Sequence, residues 1–218
     1  MKLSRRMVVV GLILAACERH PLDRLIDPVP SGAAPSAAAD WVLYDDELKT
    51  GGGFFLIPEA ANQTLTDHDA SGPAVGRKSI VYSWNGGEVN GQHLFAGFGL
   101  LAAQQIAQDA STPPRNLSAD GFTKITFWAR GTLSENTILR VEGPSDGTGS
   151  TLMPRLEISP AELAAGWAKY TLSVPDPTVA FASVKQYVIF SIIYTQPTGT
   201  TLAGEGGTVD VDQIAYEH

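Results

Sequence analysis

The chain has 218 residues and a formal net charge of −8, and 44% of its residues are hydrophobic. This length suits one folded domain with appendages, and the composition is that of an ordinary globular protein. No cluster of Lys and Arg stands out after residue 6, so we exclude nucleic acid as a partner, because proteins that bind it present basic patches. The 22 glycines and 14 prolines favour a turn-rich fold over a helical bundle.

The first 16 residues have the pattern of an export signal. Three basic residues precede an apolar run of ten residues, 7–16, which is too short to span a bilayer. The only cysteine follows as Cys17, and LAAC, residues 14–17, resembles a bacterial lipobox. The resemblance implies removal of residues 1–16, lipidation of Cys17 and a membrane anchor at the bacterial cell envelope. An ordinary signal peptide followed by an incidental cysteine is the alternative.

The next segment, residues 17–40, is rich in Pro, Ala and Ser and has no sustained apolar period. This composition predicts a tether, and a flexible chain of this length has a mean reach on the order of 25–30 Å. Such a tether holds a domain clear of lipid headgroups. The folded domain is predicted at residues 41–218, and it contains no cysteine, so no disulfide can form within it.

From Trp41 onward the sequence consists of short runs rich in β-branched and aromatic residues, bounded by Gly, Asn, Asp and Pro. Nine runs predict strands: 41–48, 78–84, 92–102, 123–130, 137–143, 154–159, 168–174, 187–195 and 208–217. Because the strands do not alternate with helices, we predict an all-β fold, an antiparallel β-sandwich or jelly roll.

Two short helices interrupt this pattern. In SPAELAAG, Ser159 has the position of an N-cap, Pro160 is the first helical residue, and Glu162 completes a capping box. A second short helix is predicted at 102–111, where the prolines that follow would end it.

Three segments resemble one superfamily, the calcium-containing jelly-roll carbohydrate-binding modules of the galactose-binding-like type. They are NLSADGFTKITFWARG (116–131), LAAGWAKYTLSVPD (163–176) and GTVDVDQIAYE (207–217). The opening strand VLYDDEL matches the family's first element more loosely. The resemblance covers residues 41–218 and implies non-catalytic binding of a polysaccharide or other glycan. Variable loops, here 144–153, set the ligand in that family, so the resemblance does not imply which glycan.

The last predicted strand raises a question about Asp212. Alternation places it on the same face as Ile214 and Tyr216, and a buried carboxylate needs a partner. The resemblance implies that the partner is a structural Ca²⁺ near the first and last strands, bound by Asp45, Asp46 and Asp212. Calcium takes six to eight oxygen ligands. The alternative is that backbone N–H groups cap Asp212, or that Arg or Lys pairs with it.

The candidate ligand-binding residues are Trp84, His93, Trp128 and Arg130. Sugar sites combine an aromatic platform with polar side chains at the rim. Trp128 and Arg130 share one strand face, where an indole would stack on a sugar ring and a guanidinium would bind hydroxyls or a uronate. His93 shares a face with Phe95. The alternatives are core positions for the tryptophans and ordinary surface or packed positions for His93 and Arg130.

Evidence for catalysis is weaker. A glycosidase needs two carboxylates about 5–10 Å apart, and Glu88, Glu142 and Glu157 form no diagnostic pattern. We therefore predict a non-catalytic glycan binder. The alternatives are a sandwich-fold hydrolase or lyase and a structural or protein-binding envelope lipoprotein. The enzyme predicts two facing acids, at least one with a raised pKa; the glycan binder predicts an exposed aromatic; the structural protein predicts an exposed apolar patch.

Overall fold

Two antiparallel β-sheets pack face to face in the structure, a computed structural model that describes residues 39–49, 53–57, 62–86, 95–101, 114–147, 153–195 and 203–218. The strands in these ranges are β1 (Trp41–Asp45), β2 (Glu47–Leu48), β3 (Phe54–Ile57), β4 (Gln63–Asp69), β5 (Ser79–Gly86), β6 (Phe95–Leu101), β7 (Lys124–Leu133), β8 (Thr137–Glu142), β9 (Arg155–Ile158), β10 (Ala168–Ser173), β11 (Gln186–Tyr194) and β12 (Ala203–Glu217). Two short helices are α1 (Pro160–Ala164) and α2 (Pro177–Ala180).

The seven-stranded sheet is organised around β12. One edge of β12 pairs with β7, while its other edge pairs first with β5 and then with β1. The remaining strands lie outside these: β10 beside β7, β2 beside β1 and β4 beside β5. The register of β12 shifts between Asp212 and Ala215, where Gln213 has a φ of 43°. Because of this shift, Asp212 lies opposite Trp128 on the outward face while Tyr216 lies opposite Ile125 in the core, so the prediction that Asp212 shares a face with Ile214 and Tyr216 is wrong.

The five-stranded sheet has the order β3–β6–β11–β8–β9. Its inward side chains meet those of the seven-stranded sheet in one core. The ring of Phe98 stacks on Phe190 at 5.1 Å and packs on Tyr82 of the other sheet at 5.4 Å, and Phe127 meets Phe190 edge to face at 5.2 Å. Each fully buried side chain of this size contributes about 1.5–3 kcal/mol, so the aromatic layer holds the two sheets together.

The predicted antiparallel β-sandwich is confirmed, and each of the nine predicted strand segments contains a strand. Segment 41–48 is divided at Asp46, whose φ of 59° ends β1 and starts β2. Three elements were not predicted: β3, β4 and α2. The sequence of β4, QTLTDHD, is mostly polar, and this kept it from being recognised as a strand.

The predicted helix after Ser159 is confirmed with its capping box, in which Ser159 and Glu162 bond each other's backbone N–H. The second predicted helix, 102–111, lies outside the described residues. So do the signal, Cys17 and nearly all of the tether. Within the described ranges no helix has the length and apolar character needed to cross a membrane.

Candidate functional site

The carboxylate of Asp212 is fully buried and accepts hydrogen bonds from the backbone. Val75 N–H donates to Oδ2 at 2.8 Å, and Gln213 N–H donates to Oδ1 at 2.7 Å. The N–H of Ala74 is a third donor. Burial raises the pKa of Asp212 above its ordinary value, and the three N–H groups offset only part of that effect. Backbone amides therefore hydrogen-bond the buried carboxylate at both of its oxygens.

Asp46 also accepts hydrogen bonds from this chain segment, residues 72–78, at positions that follow those bound by Asp212. Its Oδ1 accepts the N–H groups of Arg77 at 2.6 Å and Lys78 at 2.7 Å. A Cβ at Gly76 would lie 2.5 Å from Asp46 Oδ1, so the close approach requires glycine there. Together with Asp212, Asp46 fixes this segment to the strands that begin and end the domain.

Calcium binding by Asp45, Asp46 and Asp212 stays a prediction. The carboxylates of Asp46 and Asp212 accept backbone N–H groups, which occupy part of the acceptor capacity of each carboxylate. Asp45 is half-buried at the end of β1, opposite Glu47. In the part of the chain that the structure describes, no group of three or more His, Cys, Asp or Glu could hold a metal ion. The amide cap fits the contacts, and chelation is the experiment that tests whether calcium binds.

Asp46→Asn is expected to flatten the acid side of the stability profile. The N–H of Arg77, followed by that of Lys78, lowers the pKa of Asp46 below its ordinary 3.8 despite some desolvation. A carboxylate with a lowered folded pKa contributes stability that is present above the unfolded pKa and is lost as pH falls through the folded pKa. Unfolding free energy measured from about pH 5 to pH 2 should fall more steeply in the wild type than in the variant. Equal slopes would contradict this, and Asp120→Asn in an exposed turn is the control.

Of the predicted ligand residues, Trp84 is in the core. It is 3% exposed, and its ring packs against Tyr194 at 5.0 Å. The prediction of a sugar platform at Trp84 is wrong, because the indole has no open face for a ring to stack on. His93 lies outside the described residues. Sequence alternation placed Trp84 with Tyr82 correctly, but that face points inward.

Trp128 and Arg130 do share the outward face of the seven-stranded sheet, and both are half-buried. Arg130 is already engaged within the protein. Its Nε–H donates to Asp210 Oδ2 at 2.7 Å, and its guanidinium lies 4.7 Å from the ring centre of Trp167. The indole N–H of Trp167 donates to the carbonyl of Gly72 at 2.9 Å. The charge of Arg130 is thus matched by Asp210, and sugar binding by Trp128 and Arg130 stays a prediction.

A second face is apolar: the outward side of the five-stranded sheet. Its apolar side chains, here called the apolar face, are Phe55, Ile57, Phe95, Ile138 and Ile193. Phe95 is 42% exposed and lies opposite Ile193, which in turn lies opposite Ile138. The ring of Phe55 lies against Gly99. The sheet therefore presents aromatic rings and branched side chains on the side away from the core.

The middle of this face carries little side-chain volume. Gly97 lies opposite Ser191, Ser191 lies opposite Arg140, and Arg140 lies opposite Glu157. Arg140 donates to Glu157 Oε1 through Nε at 3.0 Å and through Nη2 at 2.8 Å. One row across the sheet thus passes from a glycine to an ion pair. A ligand on this row would meet apolar groups on one side and charged groups on the other.

Sequence reasoning found part of this face. Alternation in GQHLFAG put Phe95 on the face of His93, and Phe95 is exposed in the structure. Phe55 was missed because β3, only four residues long, was not predicted as a strand. The apolar run FFLI after three glycines was the available signal.

Two acids, Glu157 and Asp212, and a serine in a G-x-S-x-G sequence, Ser145, are engaged in contacts within the protein. Glu157 is ion-paired with Arg140 at 2.8 Å. A sandwich-fold hydrolase would have a catalytic acid with a raised pKa. Here burial raises the pKa of Asp212, but this carboxylate is buried beneath residues 72–78 and does not lie in a cleft. GPSDG, residues 143–147, has the spacing of a nucleophile elbow. Ser145, however, is buried at 5% exposure, and its Oγ accepts the N–H of Gly147 at 3.0 Å.

Comparisons with known proteins were made by sequence and by structure. No protein-family model matches the chain, and a search of curated proteins found no match. Among solved structures, the chain is similar to the Family 11 carbohydrate-binding module of the cellulosomal cellulase Lic26A-Cel5E of Clostridium thermocellum, at 16% identity over 84% of this chain and 96% of that chain, with a TM-score of 0.46. It is also similar to CBM29_1, a Family 29 carbohydrate-binding module from Piromyces equi, at 11% identity over 82% and 89%, with a TM-score of 0.42.

A Family 30 carbohydrate-binding module is similar at 10% identity over 81% of this chain and 97% of that chain, with a TM-score of 0.48. The assignment of an antiparallel β-sandwich rests on the strand pairings given above. No function is carried over from these likenesses.

Proposed function

We propose that this protein binds a glycan, without catalysis, on the apolar face of its five-stranded sheet. The observation that carries the proposal is Phe95, an exposed aromatic ring on a sheet face next to the side-chain-free position Gly97. Sugars present apolar C–H surfaces as well as hydroxyls. A site for them therefore needs an aromatic platform with a few polar groups nearby.

The polar groups are supplied by the same rows of the sheet. Arg140 and Glu157 lie two and three strands away from Gly97 across the face, and both carry hydrogen-bonding groups at its edge. Because their charges are paired, they offer donors and acceptors to hydroxyls without leaving a lone charge in the site. This division into an apolar side and a polar side suits a polyhydroxylated ring.

The cellular setting is part of the proposal. The basic and apolar start of the chain, the lipobox-like LAAC at 14–17 and the Pro/Ala/Ser-rich segment 17–40 support export, lipidation at Cys17 and a tether at the bacterial cell envelope. A domain held on such a tether could reach a glycan of the envelope or one outside the cell.

Phe95→Ala is expected to weaken glycan binding by about 30-fold, the loss typical of a central aromatic contact worth about 2 kcal/mol. The full chain would be run through gels containing different polysaccharides, and the glycans that retard it would be titrated by calorimetry. Val179→Ala is the matched control, because Val179 is an exposed apolar side chain, 69% accessible, on α2. Equal affinity of Phe95→Ala and wild type for every retarding glycan would refute a site at this face.

A second candidate function is protein binding on the same face. The observation in its favour is that aromatic and branched side chains there are contiguous, and exposed apolar patches on sheets commonly mark interaction sites. The gel experiment separates the two. Retardation by a defined set of glycans supports the glycan site, whereas a folded protein that no glycan retards favours a protein partner.

A further inference from the structure

The outward face of the other sheet contains a groove with different chemistry. Two adjoining cavities of about 450 and 300 Å³ lie along β5, β12 and β7, and both are lined by Thr132 and Thr208. Ser83 and Ser134 line the larger one, and Arg130 and Asp210 line the smaller one. We call this depression the hydroxyl groove. It lies on the outward side of the seven-stranded sheet, whereas the apolar face belongs to the five-stranded sheet.

A ladder of hydroxyl groups crosses four strands at the groove: three of them line its cavities, and Thr64 continues the row onto β4. Thr64, Ser83, Thr208 and Thr132 occupy directly paired positions on β4, β5, β12 and β7. Neighbouring strands are about 4.8 Å apart, and Ser83 Oγ lies 2.9 Å from Thr208 Oγ1. Each hydroxyl has one donor and two acceptor sites. A chain molecule lying across the strands would therefore meet a hydrogen-bonding group at every strand.

One side of the groove is charged but internally balanced. Arg130 pairs with Asp210 at 2.7 Å and is stacked on Trp167, which is itself bonded to the carbonyl of Gly72. These contacts hold the guanidinium in place before any ligand arrives. Because the charges of Arg130 and Asp210 cancel, the groove offers no unmatched positive charge to an anionic ligand, which would also lie beside the Asp210 carboxylate.

We propose that the hydroxyl groove is a second binding site, and that it takes a neutral polyhydroxylated chain, an uncharged oligosaccharide, laid across β4, β5, β12 and β7. The hydroxyl ladder supplies the hydrogen bonds, and the Arg130–Asp210 pair, which is the next outward row on β7 and β12, lies along one side of the bound chain. The site is separate from the apolar face and does not depend on it.

The test uses the full chain carrying Phe95→Ala, so that the apolar face does not contribute. An uncharged β-glucan hexasaccharide and an oligogalacturonate of equal length are titrated while amide chemical shifts are followed by NMR. We expect the neutral probe to shift amides of β5, β7 and β12 and to bind at least about tenfold more tightly than the charged one. No shifts in these strands, or equal affinity for the two probes, would overturn the proposal.

Thr132→Val with Thr208→Val, in the same background, removes two hydroxyls without changing side-chain shape. Loss of the two hydrogen bonds should make binding of the neutral probe about tenfold weaker. Thr171→Val, an exposed threonine on β10 of the same sheet, is the control. If the double variant unfolds, the single variant Thr132→Val, at an exposed position, is measured in its place. Unchanged affinity would refute the site, and the comparison of Phe95→Ala with wild type separately decides the proposed function.

Discussion

Replacing Asp212 with alanine is expected to lower the free energy of unfolding by about 3 kcal/mol or more. The N–H groups of Ala74, Val75 and Gln213 lose their acceptor, and a buried donor left without a partner costs about 1–3 kcal/mol. The change also frees the segment 72–78 from one of its two carboxylate contacts. Urea unfolding near pH 7, followed by tryptophan fluorescence, measures the difference.

Asp120→Ala is the matched control, because Asp120 is exposed and its change should stay within about 0.5 kcal/mol. Chelation tests whether the carboxylate of Asp212 binds only backbone amides or also a calcium ion. If the amides are the partner of Asp212, EDTA should leave the melting temperature of the wild type unchanged. A clear fall that added calcium reverses would show a cation bound to the folded state and would overturn the amide cap.

The contacts of Asp46 and Asp212 also show which parts of the structure could be predicted from the sequence. The resemblance implied that the first and last strands lie together, and β1 does pair with β12. It also implied that Asp46 and Asp212 lie near each other, and both bind residues 72–78. The amide cap was only an alternative in the sequence analysis, and which residues supply its N–H groups could not be predicted for a physical reason. Every residue but proline carries a backbone N–H, so a donor set made of amides leaves no pattern in the sequence.

The two sheet faces show a similar limit. Period-two alternation sorted side chains correctly in β7, as with Trp128 and Arg130, but it failed in β12, where the register shift after Asp212 puts this residue on the face opposite to Tyr216. It could not say which of the two faces points outward, and so Trp84 was assigned to a binding face although it packs in the core. That choice depends on pairing between strands distant in sequence. For the same reason, the ladder from Thr64 to Thr132 could not be predicted from any one segment.

Gly97→Ala is expected to destabilise the protein by about 3 kcal/mol. A Cβ at this position would overlap the carbonyl oxygen of Phe190 and lie 2.8 Å from the Cα of Ser191. These are backbone atoms of β11, so the clash can be relieved only by separating β6 from β11, and overpacking of this kind costs about 1–3 kcal/mol or more. Chemical unfolding of the variant measures the cost.

Gly53→Ala is the matched control, because a Cβ there meets nothing within 4 Å. It should be neutral or slightly stabilising, by about 0.4–1 kcal/mol, through the unfolded chain. Equal stabilities of the two variants would mean that β6 and β11 do not approach as described.

The position of Gly97 also links stability to the proposed glycan site. The close approach of β6 and β11 excludes a side chain at residue 97 whether or not a ligand is present, so the bare position beside Phe95 is a consequence of strand packing. Gly97→Ala should therefore lower both stability and glycan affinity. Phe95→Ala should lower affinity alone, because its ring is 42% exposed and little of the fold depends on it. A Gly97→Ala variant that unfolds more easily yet binds as tightly as wild type would place the glycan elsewhere.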